Sequence, residues 1–187
     1  VVHPAAQKVT FVPLVGGVGR VRMELHANSL AESLSRIYDG KFVPLHAPAR
    51  VSSRNIRDEL LKEDSLLPAI YLTQKLDIAV VGIGYPNEKS AIMATGYFKE
   101  NEIESLIDRK VAGELCMQFY DIYGDTAPYK DDNNVIGMDI SMLRSVPRSI
   151  GIAGGVEKLR AVRGAINGHY INTLITDIEC AEALISE

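Results

Sequence analysis

Cysteine, positive charge and long apolar runs are all scarce in this chain of 187 residues. Its two cysteines, Cys116 and Cys180, lie far apart and form no CxxC pair, so the sequence predicts neither a disulfide framework nor a zinc site. Lys and Arg number 20 against 24 Asp and Glu, which gives a net charge of −4 and no basic footprint for nucleic acid. Free thiols suit a reducing compartment, so we expect a cytoplasmic protein.

Membrane and nucleotide motifs are also missing. The longest apolar stretch, Ile78–Ile83, is too short to span a bilayer, and no signal peptide is visible, so no membrane partner is expected. The segment Val15–Arg20 does not satisfy GxGxxG, and the alternation that follows it indicates an extended segment where a dinucleotide fingerprint needs a helix. The pattern GxxxxGK followed by Ser or Thr occurs nowhere. We therefore expect no cofactor and no metal site.

The chain does contain an alternation of strand and helix patterns. Apolar, β-branched runs predict strands over 8–14, 42–45, 77–84, 114–120, 135–138, 149–153 and 171–176. Amphipathic spacing predicts helices over 28–39, 53–62, 66–75, 99–109, 156–166 and 178–185. This alternation predicts one α/β domain over residues 1–187, with a mostly parallel sheet covered by helices on both faces.

Two local details of this prediction can be checked directly. The run at 77–84 is apolar almost throughout, so we expect it to be buried on both faces of the sheet. Ser29 and Glu32 have the spacing of a capping box at the start of the first helix, and Gly40 stands where that helix should end.

Glycines at the predicted strand ends are the most informative feature. Three strands lead into glycine-containing segments, and we assign to a candidate anion site Gly16, Gly17, Val18, Gly82, Gly84, Gly154 and Gly155. Glycine lets backbone N–H groups close on an anion at the carboxyl edge of a parallel sheet. Lys158 follows in the first turn of a helix, where a cation is unfavourable unless an anion binds beside it. The alternative is that the glycines only form tight turns and that Lys158 is solvated.

Acid–base groups give weaker evidence for chemistry. Glu114 lies near the predicted ligand edge, where a carboxylate acts as a general base or accepts hydrogen bonds from sugar hydroxyls. Asp121 begins a turn-like segment, and His26 and His46 are interpreted as polar loop residues. Since no nucleophile is paired with a base at a recognisable spacing, we expect a protein that is not an enzyme.

Nine segments spread along the whole chain resemble one family. These segments are VPLVGGVG, HANSLA, PLHAPARVSS, DIAVVGIG, GYF, VAGELCMQFYD, VIGMDISMLRSVP, GIAGGVEK and YINTLITD. Together they resemble the sugar-binding, effector-sensing domain of SorC/DeoR-type bacterial transcriptional regulators. The chain also starts at Val1 and runs almost at once into a strand, so we interpret it as part of a longer protein.

The resemblance implies both a fold and a function. It implies a three-layer, Rossmann-like α/β sheet similar to glucosamine-6-phosphate deaminase, ribose-5-phosphate isomerase and the CoA-transferase fold, with catalysis lost. The implied ligand is a phosphorylated sugar or related metabolite that controls DNA binding and oligomerisation. DNA would be bound through a helix-turn-helix outside these residues, and a homodimer or homotetramer is implied.

The resemblance also implies roles for single residues. Gly16 and Gly17 would face the phosphate or the sugar, and Glu114 would contact sugar hydroxyls. Lys158 would bind phosphate beside the glycines at 154 and 155. The pocket would be lined by Asn28, His46 and Ala47.

Two departures from the family pattern affect these expectations. The deoxyribonucleoside branch carries an imine-forming lysine just before the paired glycines, whereas this chain has Val15, so covalent capture of an aldehyde is not expected. Family members also carry an earlier strand and glycine-rich loop, without which the pocket would be incomplete and binding weak. An active sugar-phosphate isomerase or deaminase, with Glu114 as base, and a purely structural oligomerisation module remain open alternatives.

Overall fold

The computed structural model describes residues 8–17, 26–87, 90, 93 and 95–186. The chain divides into two compact units. Unit 1 comprises Val1–Lys75 with Asn134–Met138, and unit 2 comprises Leu76–Asn133 with Asp139–Glu187. In the part of the chain that is described, no helix is both long and apolar enough to cross a membrane.

Among the residues that the structure describes, unit 1 contains short strands and three α-helices. Its elements are β1 (Thr10–Phe11), α1 (Ala27–Ile37), β2 (Lys41–Phe42), α2 (Arg54–Leu60) and α3 (Leu67–Thr73). The strands β1 and β2 pair in parallel and are shorter than predicted. The predicted strand at 135–138 is reduced to isolated bridges, one of which joins Val135 to Arg50. The buried core of this unit is formed by Leu45, Leu66, Ala69 and Ile136.

The start of α1 differs from the prediction. His26 caps the helix without a side-chain hydrogen bond, and Ser29 already lies inside it. The side chain of Glu32 bonds instead to Arg36, one turn further along the helix. The predicted capping box is therefore wrong, because the helix begins earlier than the Ser29–Glu32 spacing suggested.

Unit 2 contains the larger sheet. Its strands are β3 (Ile78–Gly82), β4 (Gly113–Leu115), β5 (Gln118–Tyr120), β6 (Arg148–Ile152) and β7 (Thr173–Ile175). Its α-helices are α4 (Glu100–Asp108), α5 (Leu159–Asn167) and α6 (Ile178–Ile185). Strands β3, β6 and β7 form a parallel sheet in the order β3-β6-β7, and β4 pairs with β5 as an antiparallel hairpin. The prediction of a mostly parallel α/β arrangement is confirmed.

Two sequence predictions fail in unit 2. The predicted single strand at 114–120 is a hairpin, because Cys116 and Met117 both take positive φ values, 50° and 62°, and reverse the chain. The run at 77–84 is not buried on both faces. Successive side chains of a strand point to opposite faces, and on β3 Ala79 is buried whereas Val80 is 55% exposed.

Candidate functional site

The carboxyl ends of the parallel strands of unit 2 carry several of the residues expected at a ligand site. Gly84 follows β3, the Gly154–Gly155 loop follows β6, and Asp177 follows β7. Parallel strands end on the same edge of their sheet, and open α/β sheets bind ligands in the crevice outside that edge. We therefore place the candidate site on this edge of unit 2.

Gly84 lies directly against Glu114 of β4. The two residues exchange backbone hydrogen bonds in both directions, from Gly84 N to Glu114 O at 3.0 Å and from Glu114 N to Gly84 O at 2.9 Å. A Cβ atom on Gly84 would overlap Oε1 of Glu114. The absence of a side chain at this position therefore makes room for the glutamate carboxylate.

The Glu114 carboxylate lies in a low-polarity environment. Its Oε2 atom accepts a hydrogen bond from the backbone N–H of Met117 at 2.9 Å. Burial raises the pKa of Glu114 to about 7, although the Met117 N–H and the positive charge of Lys158 both oppose this rise. Part of the residue's surface remains accessible, but its carboxyl group is enclosed. Glu114 therefore changes charge near neutral pH.

Lys158 joins this group from the loop after β6. It ends the short 3₁₀ helix Val156–Lys158 and caps α5, and its side chain is half-buried. Its positive charge lowers the pKa of Glu114, so the two groups lie within electrostatic range of each other. Such a pair offers one group for an anion and one for hydroxyl groups.

An internal carboxylate already occupies the Gly154–Gly155 loop. The N–H of Gly155 donates to Oδ2 of Asp177 at 2.5 Å, and the N–H of Cys180 donates to Oδ1 at 2.8 Å. These two hydrogen bonds lower the pKa of Asp177. The expectation that this loop offers its N–H groups to an external anion is thus not met at Gly155, and the loop contributes Lys158 to the site instead.

Asp177 is the residue that the sequence analysis missed. It was included only in a matching segment, YINTLITD, and received no role. A signal was present, because an Asp just before an apolar helical pattern is a typical N-cap, and Asp177 does cap α6. Its second bond, to Gly155, joins residues 22 positions apart and leaves no local signal in the sequence.

Within unit 1, several of the predicted residues are hydrogen-bonded to one another. The N–H of Gly17 donates to Ala47 O at 2.7 Å, and the N–H of Gly16 donates to Ile136 O at 2.9 Å. A Cβ atom on Gly16 would lie 2.5 Å from Ala47 O, so this position requires glycine. The Gly17 N–H therefore holds Ala47 in place and the Gly16 N–H holds Ile136, so both N–H groups are bonded within the protein.

Asn28 fixes the neighbouring segment. Its Nδ2 atom donates to Leu45 O and its Oδ1 atom accepts from Leu45 N, both at 3.0 Å. This clamp positions His46, which is exposed, at the end of the strand-like segment. Val18 lies outside the described residues.

Two further residues from the sequence analysis, Gly82 and Asp121, lie at a strand end and in a turn. Gly82 ends β3 on its exposed face, and a Cβ atom there would meet nothing within 4 Å. Asp121 forms the predicted turn, since its Oδ1 atom accepts the N–H groups of Tyr123 and Asp125. A shallow surface depression is lined by Tyr123, Asn167, Asn172 and their neighbours and contains none of the predicted ligand-binding residues.

The chain is similar to a known protein family and to several named proteins. Residues 2–186 match the family model described as "Putative sugar-binding domain". The chain is 30% identical over 181 residues to the sorbitol operon regulator of Klebsiella pneumoniae, covering 96% of this chain and 58% of that protein. It is 33% identical over 184 residues to the transcriptional regulator LsrR of Escherichia coli K12, covering 97% and 56% respectively. The chain thus spans somewhat over half the length of these relatives.

Solved structures show the same relationship. The full-length sorbitol operon regulator SorC from Klebsiella pneumoniae matches with a TM-score of 0.87 and 31% identity, over 94% of this chain and 57% of that one. A DeoR family transcriptional regulator from Listeria monocytogenes matches with a TM-score of 0.86 and 26% identity, over 94% and 69%. These matches confirm the predicted fold class and the resemblance to SorC/DeoR-type regulators. The chain belongs to the sugar-binding domain family of bacterial transcriptional regulators.

Proposed function

We propose that this chain binds a phosphorylated sugar and acts as the effector-sensing part of a sugar-responsive transcriptional regulator. The observation that carries the proposal is that Lys158, in the loop after β6, and Glu114, which is bonded to Gly84 after β3, both lie at the carboxyl edge of the unit 2 sheet. Relatives named as regulators of sorbitol and deoxyribonucleoside genes support the same conclusion.

Each group has a distinct role in this proposal. Lys158 binds the phosphate through a charge-assisted hydrogen bond, which is stronger than a bond between neutral groups. Glu114 binds a sugar hydroxyl, and Gly84 provides the space in which its carboxylate lies. Gly154 and Gly155 shape the loop that presents Lys158.

The predicted residues of unit 1 are retained as proposed ligand-binding residues of that unit by itself. We keep Gly16, Gly17, Asn28, His46 and Ala47 in this role because their backbone positions are fixed by the hydrogen bonds described above. The N–H groups of the two glycines remain bonded within the protein.

The rest of the regulator is also part of the proposal. The 187 residues form one effector domain, and the longer protein binds DNA through a helix-turn-helix outside them. The net charge of −4 fits a domain that does not itself hold DNA. The regulator works as a homo-oligomer in the cytoplasm.

One observation favours a second candidate, a sugar-phosphate isomerase or deaminase. A carboxyl group with a pKa of about 7 is suited to general base catalysis. We favour a sensor that does not catalyse, because the matching relatives are named as regulators. The thiol of the nearby Cys116 stays protonated, since burial raises its pKa to about 12. Assays for turnover of ribose-5-phosphate and glucosamine-6-phosphate separate the two candidates.

The test of the proposed function compares pairs of ligands that differ only in phosphorylation. Binding to the folded state alone raises the melting temperature, so phosphorylated sugars should stabilise the chain and their free sugars should not. Isothermal calorimetry on the same pairs gives the affinities. Equal stabilisation by both members of every pair, or turnover of a sugar phosphate, would contradict the proposal.

A further inference from the structure

Gln118 is a buried polar residue in the β4–β5 hairpin. It lies on β5 beside Phe119 and Tyr120, and only 5% of its surface is exposed. A buried amide side chain costs free energy unless it is hydrogen-bonded. The bonds that Gln118 makes therefore indicate what this residue does.

One atom of Gln118 bonds to both ends of a segment that leaves unit 2. Its Oε1 atom accepts a hydrogen bond from Nδ2 of Asn133 at 3.1 Å and from the backbone N–H of Ile140 at 3.3 Å. Residues 134–138, which lie between these two donors, belong to unit 1, whereas Asn133 and Ile140 belong to unit 2. Gln118 thus holds the chain where it leaves unit 2 and where it returns.

The 134–138 segment supports proposed ligand-binding residues of unit 1. At its centre, the carbonyl of Ile136 accepts the N–H of Gly16, and the N–H of Ile136 donates to Ala49 O, both at 2.9 Å. The N–H of Ala49 in turn donates to Gly17 O at 2.8 Å. The positions of Gly16 and Gly17 therefore depend on where the chain holds Ile136.

Resting on the proposed function for the roles of Gly16 and Gly17, we propose that Gln118 is a positioning residue for the ligand-binding segments of unit 1. It acts through the 134–138 segment, whose two ends its side-chain oxygen holds. Without that acceptor, the buried N–H of Ile140 loses this partner and the segment gains freedom to move. Gly16 and Gly17 are then less well ordered before a ligand arrives, which weakens binding because ordering them costs free energy.

Amide hydrogen exchange measured by NMR on the unliganded chain tests this role. Gln118→Leu keeps much of the size of the side chain but removes the acceptor. The amides of Gly16 and Ile136 should therefore exchange about 10-fold faster than in wild type. The amide of Ile83, which is bonded to Ile152 O in the unit 2 sheet, serves as the reference for a general loss of stability, and its rate should change less.

Tyr120→Phe is the matched control on the same strand. It removes another buried hydrogen bond of β5, from the Tyr120 hydroxyl to Ala161 O at 3.0 Å. This bond is not one of those that hold the 134–138 segment. In this variant the ratio of the Ile136 rate to the Ile83 rate should stay at its wild-type value.

Two further variants keep the test decisive if Gln118→Leu does not fold. Asn133→Ala removes one of the two hydrogen bonds and should still raise the Ile136 rate relative to the Ile83 reference. Gln118→Glu keeps an acceptor oxygen and should exchange at a rate close to that of wild type.

The outcomes separate this inference from the proposed function. In Gln118→Leu or Asn133→Ala, an Ile136 rate that rises only as much as the reference rate would overturn the inference, and so would a fast rate in Gln118→Glu. Calorimetry with phosphorylated sugars adds a second readout, in which Gln118→Leu should bind about 10-fold more weakly than Tyr120→Phe. Equal affinities would also overturn the inference and leave the proposed function intact. A wild-type chain that binds none of these sugars contradicts the proposed function, while the exchange rates still decide whether Gln118 positions the segment.

Discussion

The carboxylate of Glu114 fills the volume that a side chain on Gly84 would occupy, while the two residues are joined by a pair of backbone hydrogen bonds. This relationship connects the end of β3 to β4. It also explains how the Glu114 side chain can pack against the backbone of Gly84 at the carboxyl edge of the sheet.

Gly84→Ala should therefore move the Glu114 carboxylate. Overpacking of a buried position costs about 1–3 kcal/mol of unfolding free energy, which urea denaturation measures. The matched control is Gly82→Ala, two residues earlier on the exposed face of the same strand, where a Cβ atom meets nothing within 4 Å. We expect Gly82→Ala to be nearly neutral, and equal losses in the two variants would show that Glu114 does not occupy this space.

The pH dependence of stability provides a second test of the Glu114 environment. Its pKa in the folded protein, about 7, lies above the ordinary value of 4.5. The folded state thus binds the proton more tightly than the unfolded state, and the stability that this contributes at low pH is lost as pH rises through 7. Glu114→Gln should lack this loss. Relative to wild type, the free energy of unfolding of the variant should therefore rise by roughly 1–3 kcal/mol between pH 4.5 and 7.5. Parallel stability curves for the two proteins would contradict the assignment.

In unit 1, the hydrogen bonds of Asn28 to Leu45 predict that replacing Asn28 lowers the free energy of unfolding. The sequence pattern instead predicted this effect for Ser29. Asn28→Ala removes two hydrogen bonds to the backbone of buried Leu45 and should cost about 1–3 kcal/mol by chemical denaturation. Ser29→Ala is the control, because the predicted capping box would make it destabilising whereas the structure places Ser29 within the helix. A larger loss for Ser29→Ala than for Asn28→Ala would reverse this interpretation.

Much of the architecture could be predicted from the sequence because it depends on local periodicity. The apolar runs that form β3 and β6, and the amphipathic pattern of α5, correspond to elements in the structure within a few residues. Gly154 and Gly155 follow the predicted strand at 149–153 and also follow β6 in the structure, since glycine after an apolar run is a strong turn signal. Gly84 lies inside the predicted strand at 77–84, whereas β3 ends at Gly82.

The failures have a common cause, which is that the deciding interactions are not local. The β4–β5 hairpin turns at Cys116 and Met117, neither of which is a typical residue for positive φ, so the sequence gives no turn signal there. The bond from Gly155 to Asp177 depends on the adjacent positions of β6 and β7. For the same reason the sequence could propose Lys158 and Glu114 separately but could not show that the charge of one acts on the other.

The proposed binding of the effector's phosphate by Lys158 can be measured by calorimetry on Lys158→Ala. Loss of a charge-assisted hydrogen bond worth roughly 1.5–3 kcal/mol should weaken binding of a phosphorylated sugar by about 10- to 150-fold. The melting temperature should change little, because the lysine is only half-buried and caps a helix start where a cation is unfavourable. Lys130→Ala, at an exposed lysine of the same unit, should bind like wild type. Equal affinities for wild type and Lys158→Ala would contradict the account.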